Sequence, residues 1–389
     1  MSAKKRTIEK PYLRLHTVLG EDRYRVEDFL EDNDLIVSYA GYDIFRQKKV
    51  IIRELFPKAI LQREPGDDQG VSCKQMASET TFDSMKHHMI ARAKKLIGLY
   101  PLEHVGNILS YFEENGTVYV IEEEQPEGTV TFAQTLLKRH SAKFTVEDLL
   151  KYLKPLFETL TKLHKKGIWH GSITPETILI TPDKQPVLVH FTDPCEDVAA
   201  ESLGSPKVRQ EGYSPVELYV PEATPGFKVD IFSMGALIYR YVTGECVMPY
   251  YERINEEKEP TEPKDMQTRV MNFQSDAIMK AVALYDFDRF DSLEELLKEL
   301  APADLDAESL HTQDEQPRTF KKLPFWYKRE QQQKWATIIV MAAVVIFLIL
   351  FLVPRVGVVS STVRVDRFYK KFHQASEYQR CTGYHLLQQ

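Results

Sequence analysis

Leu163 to Ile180 reads LHKKGIWHGSITPETILI, and the fold turns on this stretch. The helical pattern leading into it closes at Gly167, and two compact apolar runs follow, IWHGSI and ILITPDKQPVLVHF, the second folded about a Pro-Asp-Lys-Gln turn. Upstream, Thr145-x-x-Asp148 is a start signal that opens the helix EDLLKYLKPLFETLTKLHKKG, preceded by the helical run FAQTLLKRH and a short connection near Pro126 to Gly128. Before that connection, from Tyr24 to about Glu124, the apolar residues fall in strand-length runs, KKVIIRELF, GNILSYF and TVYVIEE. A turn-forming ENG separates the last two, and a helix is expected from Asp83 to Gly98. Downstream come further helices, including DIFSMGALIYRYVTG and DSLEELLKEL; the chain contains no internal repeat.

With 389 residues, 43% hydrophobic and 28% charged, the chain can bury one large core or two modest ones, which excludes disordered, collagenous and disulfide-stapled classes. Fifty Lys and Arg against 57 Asp and Glu give a net charge of -7, so no nucleic-acid partner is expected. Cys73, Cys195 and Cys246 form no CxxC pair and have no His at zinc-ligand spacing, which suits a reducing compartment and no metal site; Cys381 stands alone.

The mean hydropathy of -0.35 conceals one exception. Trp335 to Val353 reads WATIIVMAAVVIFLILFLV, nineteen residues without a charge. As a helix it covers roughly 28 Å, about one bilayer core. Trp326, Tyr327 and Trp335 flank it as interfacial aromatics, so a single transmembrane helix is expected. Six Lys and Arg between Arg318 and Lys334 against five between Pro354 and Lys371 leave the orientation undecided by charge. The N-terminal stretch has no apolar run of signal length, so the expectation is a single-pass protein of the cell membrane with residues 1–334 in the cytoplasm.

A small β-rich lobe, a connection and a larger helical lobe are the order of a protein kinase domain. KKVIIRELFP resembles the bacterial Ser/Thr kinase strand that ends VAIKE, and LHKKGIWHGSITPETILI resembles the family's catalytic loop, usually LHxxGxxHRDxxPxNIxI. GYSPVELY is similar to the APE region, VDIFSMGALIYRYVTG to the helix after it, and YDFDRFDS to the late Arg-containing turn. The resemblance covers about 24–300. It implies an α+β fold of two lobes, a small β-rich N-lobe and a larger helical C-lobe, joined here to one transmembrane helix.

The expected divisions are an N-terminal extension over 1–23, the N-lobe over 24–124 and the C-lobe over 125–300. An acidic linker and basic juxtamembrane segment follow over 301–334, then the span over 335–353 and a short extracytoplasmic tail over 354–389. In the linker Asp304, Asp306, Glu308, Asp314 and Glu315 occur without Lys or Arg, while KKLPFWYKR at 321–329 suits anchoring at headgroups.

The catalytic positions depart from the family. In place of GxGxxG stand Glu31-Asp32-Asn33-Asp34-Leu35-Ile36, with no glycine and three carboxylates, read as an acidic solvated hairpin. The strand lysine becomes Arg53 and its helix glutamate becomes Arg92, two cations that cannot pair. The general-base aspartate becomes Ser172 after Gly171, the metal-binding asparagine becomes Thr177, and DFG becomes His190-Phe191-Thr192, an imidazole where magnesium needs oxygen. Only Asp193 and Glu176 offer replacement carboxylates. By contrast His170, Glu217, Asp230 and Arg289 match residues that hold the helical lobe together in the family.

The resemblance therefore implies a degenerate kinase, a pseudokinase, for which no cofactor is expected and neither ATP nor magnesium is expected to bind. Its partners would be other proteins, and its role that of a scaffold or regulator in envelope-associated signalling or secretion in a bacterium. The alternatives are an atypical ATP-dependent kinase or transferase with relocated groups, and a nucleotide sensor without turnover. Tyr241, Met248, Tyr250 and Tyr251 are expected in the core, with a partner surface as the alternative.

Overall fold

The computed structural model describes residues 12–63, 69–137, 145–197, 203, 209–220 and 223–301. The chain divides into Met1–Ala303 and Asp304–Gln389, and every described residue belongs to the first unit. The juxtamembrane segment, span and tail expected beyond it lie outside the described residues. Among the described residues no helix is long and apolar enough to cross a membrane.

The N-terminal lobe is an antiparallel sheet of β1 (Val18–Leu19), β2 (Tyr24–Asp32), β3 (Ile36–Asp43), β4 (Lys48–Leu55), β7 (Ile108–Glu114) and β8 (Thr117–Glu123), in the order β1-β2-β3-β4-β8-β7. Between them run the small hairpin of β5 (Leu61–Arg63) and β6 (Val71–Cys73) and the helix α1 (Glu79–Ile97). The lobe begins before Tyr24, because β1 pairs with β2 and Leu13 is buried, donating its N–H to Tyr39 Oη at 3.1 Å. A two-residue strand is too short to leave an alternation, so the expected extension over 1–23 is in part sheet.

Strand period decides where the charges of β4 go, since successive side chains point to opposite faces. Glu54 turns to one face, where Tyr39 Oη (2.9 Å), Tyr119 Oη (3.1 Å) and both terminal nitrogens of Arg63 (2.8 and 2.7 Å) donate to it. Arg53 turns to the other, toward the cleft. The α1 helix places Phe82, Met85, Met89, Ala93 and Leu96 along one buried stripe against β7 and β8.

The C-terminal lobe begins with β9 (Val130–Thr131), α2 (Phe132–Leu137) and α3 (Val146–His164). As expected, Thr145 and Asp148 form a capping box: Thr145 Oγ1 accepts from the Asp148 N–H at 3.2 Å, and Asp148 Oδ2 accepts from the Thr145 N–H at 3.4 Å. Gly167, at φ +68°, makes the turn after α3 that a side chain would resist. Strands β10 (Ile178–Ile180) and β11 (Pro186–Leu188) complete a three-stranded sheet with β9. The helices α4 (Lys228–Thr243), α5 (Tyr250–Glu256), α6 (Pro263–Met266), α7 (Asn272–Ala281) and α8 (Leu293–Leu300) form the base. All but a few residues of α4 are buried, which suits a central helix. Of the four residues expected in the core, Tyr241 on α4 is buried, Met248 and Tyr250 are half-buried, and Tyr251 is exposed, because α5 turns Arg253 inward in its place. The lobes are joined where the segment after α1 meets β11: the Gly106 N–H donates to Leu188 O at 2.8 Å and the Leu188 N–H to His104 O at 2.9 Å.

Candidate functional site

The loop between α3 and β10 is built around buried polar groups that all find partners. His170, 1% exposed, donates from Nε2 to Val189 O at 2.7 Å, and its Nδ1 accepts the Ser172 N–H at 3.1 Å. These contacts fix the neutral tautomer, and burial pushes its pKa down to about 4 against the pull of Asp230. Asp230, fully buried at the start of α4, accepts the N–H groups of His170 (2.8 Å) and Gly171 (2.7 Å) and pairs with His164 at 2.8 Å. Burial would raise its carboxyl; the His164 contact and the backbone donors hold it below its ordinary value. Farther down, Arg289 makes a two-point pair with Glu217 at 2.6 and 2.9 Å. His170, Glu217, Asp230 and Arg289 are thus each tied into contacts within the C-terminal lobe.

The positions that would carry chemistry are engaged otherwise. Thr177 Oγ1 donates toward Ser172 O (3.1 Å) and Thr174 O (3.2 Å) and accepts the Thr174 N–H at 2.9 Å, so it closes its own loop. Gly171 takes φ +87°, and a Cβ there would lie 2.4 Å from Cys195 Sγ. Glu176 is exposed, whereas Asp193 is 2% exposed, so the two candidate carboxylates have unlike settings.

Asp193 is the centre of the cleft. Arg53 Nη2 donates to its Oδ1 at 2.5 Å and Asn33 Nδ2 to its Oδ2 at 2.7 Å. The same guanidinium, 1% exposed, has Glu122 3.4 Å from Nε and Glu31 3.8 Å from Nη1. Glu31 meets His190 Nε2 at 2.9 Å, and His190 reaches it from a left-handed backbone, φ +71°. Although burial works against ionisation of Glu31, its contact with His190 and the charges of His190 and Arg53 bring it down to about 2. Glu122, on β8, is the opposite case: burial raises its pKa more than Arg53 lowers it. Three carboxylates and an asparagine therefore fill the space in front of Arg53. Within the same cluster the Arg53 Nε, one Glu122 oxygen and Thr192 Oγ1 are buried without a hydrogen-bond partner.

The hairpin expected to be solvated is folded into this network. Asp32, its side chain 6% exposed, accepts from Tyr12 Oη at 2.9 Å and pairs with Lys58 at 2.8 Å, while Asp34 pairs with the same lysine at 2.9 Å. Asn33 Oδ1 accepts the N–H groups of Leu35 (3.2 Å) and Ile36 (2.8 Å), which turns its amide nitrogen down onto Asp193. The solvated reading holds for Glu31, whose side chain is 52% exposed, and fails for Asp32, because Lys58, just past the end of β4, pairs with both Asp32 and Asp34 while Arg53 and His190 face Glu31.

Arg92 does not approach Arg53 as a partner. From α1 it donates to the carbonyls of Trp169 (2.9 Å), His170 (3.2 Å) and Phe191 (3.1 Å) and to Glu196 at 2.8 and 3.0 Å. It also lies 2.9 Å from Cys195 Sγ and 4.8 Å above the Trp169 ring. Two cations of the N-terminal lobe, Arg53 and Arg92, thus reach inward, and their carboxylate partners, Asp193 and Glu196, lie in the segment after Phe191. Lys58, Glu122 and Glu196 went unread in the sequence. Two inward cations each demanding a carboxylate, with Asp193 and Glu196 close behind Phe191, were the available signal.

Comparison with known proteins agrees with this architecture. The protein kinase domain model matches residues 56–307. The match begins one residue past β4, so the strands carrying the altered hairpin and Arg53 lie outside it. Serine/threonine-protein kinase D of Synechocystis sp. is 26% identical over 204 residues, covering 50% of this chain and 38% of that protein. Serine/threonine-protein kinase PknH of Mycobacterium bovis is 25% identical over 176 residues, covering 45% and 28% respectively. The chain thus spans well under half the length of these curated relatives. Among solved structures, the one titled PpkA-294 apo form superimposes with a TM-score of 0.61 at 20% identity, covering 75% of this chain and 100% of that one. At that identity the likeness is one of fold.

Proposed function

The chain belongs to the protein kinase domain family, and from that premise we propose that its cleft has given up phosphoryl transfer and that the fold serves as a membrane-anchored platform for other proteins. The observation that carries this reading is the filling of the cleft from within, where Arg53 is held by Asp193 at 2.5 Å and Asn33 closes over the same carboxylate at 2.7 Å. Phosphoryl transfer works by positioning and electrostatics, with a cation on the phosphates and carboxylates on the metal and near the hydroxyl. Here the cation faces carboxylates, and Ser172 stands where the base would be. Separating a buried ion pair costs about 3 to 5 kcal/mol. A nucleotide with intrinsic millimolar affinity, worth about 4 kcal/mol, would gain nothing net by displacing Asp193.

A second reading, an atypical kinase, is favoured by one feature: the Asp193 carboxylate is in the cleft and could serve a metal if Arg53 released it. The full chain incubated with labelled ATP and magnesium separates these. We expect no incorporation and no nucleotide-dependent thermal shift. Robust incorporation that is lost in Arg53→Met and Asp193→Asn would overturn the platform reading, and a thermal shift without incorporation would indicate a nucleotide sensor. Residues 335–353 supply the anchor in this proposal, with 1–334 on the cytoplasmic side in envelope-associated signalling or secretion. Protease treatment of sealed vesicles should then remove the large domain only from the side on which it is exposed.

A further inference from the structure

Arg53 is offered carboxylates by both lobes. It lies on β4, with Glu31 on β2 and Glu122 on β8 in the same lobe, whereas Asp193 comes from the segment after β11. The hydrogen bond from its Nη2 runs across to Asp193. Its Nε stands 3.4 Å from Glu122 Oε1, an ion-pair distance, yet both atoms are buried and neither makes a hydrogen bond. Buried polar atoms rarely face each other unbonded, because the loss of water is then uncompensated. The pull toward Asp193 leaves this second bond unmade, about 0.5 Å short of ordinary length. Around the same point the β2–β3 hairpin is fastened down, by Asn33 on Asp193 at 2.7 Å and by Glu31 on His190 at 2.9 Å.

We propose that Arg53 is a two-position latch: bonded to Asp193 it holds the β2–β3 hairpin over the cleft, and bonded to Glu122 it lets the hairpin rise and uncovers Asp193. The proton on Glu122 sets the choice. This carboxyl is faced by Arg53 from β4, by Glu31 from β2 and by His190 and Asp193 from the segment after β11, while Ile51 and Ile108 lie opposite it on β4 and β7. Neutral Glu122 offers Arg53 no charge and leaves it to Asp193. Ionised Glu122 competes for the guanidinium and is itself repelled by Glu31 and Asp193. Burial raises its pKa more than Arg53 lowers it, so the fastened position keeps it protonated above the ordinary glutamate range. A direct bond to Arg53 eases ionisation, so the fastened position is complete below the raised value and the released one gains as pH climbs through it. The latch goes beyond the platform reading, since it concerns when the cleft is covered and not whether it transfers phosphate.

The test is the distance between spin labels at Leu30, exposed on β2, and Lys166, exposed beyond α3, in the full chain without nucleotide. The labels are carried on non-canonical residues, which leaves the cysteines untouched, and the distance is read by double electron–electron resonance from about pH 5 to about pH 9, where raised buried carboxylates titrate. We expect one short distance at the acid end and a longer one that grows from about a tenth of molecules to the majority as pH rises. Glu122→Gln, neutral throughout and nearly the same shape, should keep the short distance at every pH. Asp193→Asn should show the longer distance at every pH, and His190→Gln should leave the response to pH in place. Circular dichroism checks that each variant folds. The proposal is overturned if the distance in the native sequence does not respond to pH, if Glu122→Gln responds as the native sequence does, if folded Asp193→Asn keeps the short distance, or if His190→Gln abolishes the response. Phosphate incorporation enters none of these readings, so the latch and the inactive cleft fail separately.

Discussion

Replacing Arg92 by methionine keeps most of the stem and removes the guanidinium, and should cost about 3 to 5 kcal/mol of folding stability. The lost bonds to the carbonyls of Trp169, His170 and Phe191, at 2.9, 3.2 and 3.1 Å, leave three acceptors in a buried loop. At about 1 to 1.5 kcal/mol each, the lower end of the range for buried acceptors left unpaired, they account for the total. Glu196 adds little, because its side chain is 25% exposed and can be rehydrated. The assay is equilibrium unfolding of the full chain in urea, followed by tryptophan fluorescence. Trp169 lies 4.8 Å under Arg92 and so reports on the site itself. The midpoint should fall by about 1 to 3 M urea. Arg92→Lys should recover only part of the loss, since an ammonium cannot serve carbonyls and a carboxylate with the fork of a guanidinium. A shift in Arg92→Met equivalent to less than about 1 kcal/mol would refute the reasoning, by showing that the cluster is a contact without a stabilising role.

Other consequences rest on the same contacts. Asp193→Asn should loosen the turn over Asn33, read as faster hydrogen exchange of the Leu35 and Ile36 amides; unchanged exchange would mean that the hairpin is not held from below. Gly171→Ala should cost about 2 to 4 kcal/mol, because φ +87° is strained for any side chain and the methyl would strike Cys195 Sγ and Trp169. His170, depressed from 6.5 to about 4, is charged sooner in the unfolded chain. Its contribution to stability is therefore complete above pH 6.5 and falls as pH drops toward 4, a slope that His170→Gln should flatten. Glu122 is shifted the other way, so its contribution is complete below its ordinary value and is lost as pH rises through the raised one. Glu122→Gln should accordingly gain on the wild type as pH increases, and a difference independent of pH would contradict this.

Local signals in the sequence carried far. The Thr145–Asp148 box, the ENG turn and Gly167 each specify backbone geometry within a few residues, and each stands where it was expected. Glu217, Arg289 and Asp230 were legible because their motifs keep both partners of each contact. The cleft was harder, since Arg53 and Asp193 are 140 residues apart and Arg92 and Glu196 are 104 apart. No periodicity links such positions, and the kinase pattern points each cation toward a partner it no longer has. The hairpin misled for a related reason. Three carboxylates close together read as solvated, which holds for Glu31 but not for Asp32, which Lys58, connected to it by no turn rule, ties down together with Asp34.

The relocation of charge from one pair of positions to another also has a bearing on reversibility. A lysine at Arg53 would still face Asp193, and a glutamate at Arg92 would set a new carboxylate against three carbonyls and Glu196. The step at Arg92, taken singly, thus passes through a chain with a buried carboxylate facing its like, whereas the step at Arg53 keeps an opposite charge opposite it. Arg92 and Glu196 are therefore coupled and act as a ratchet: that pair can be left only by changing both residues together.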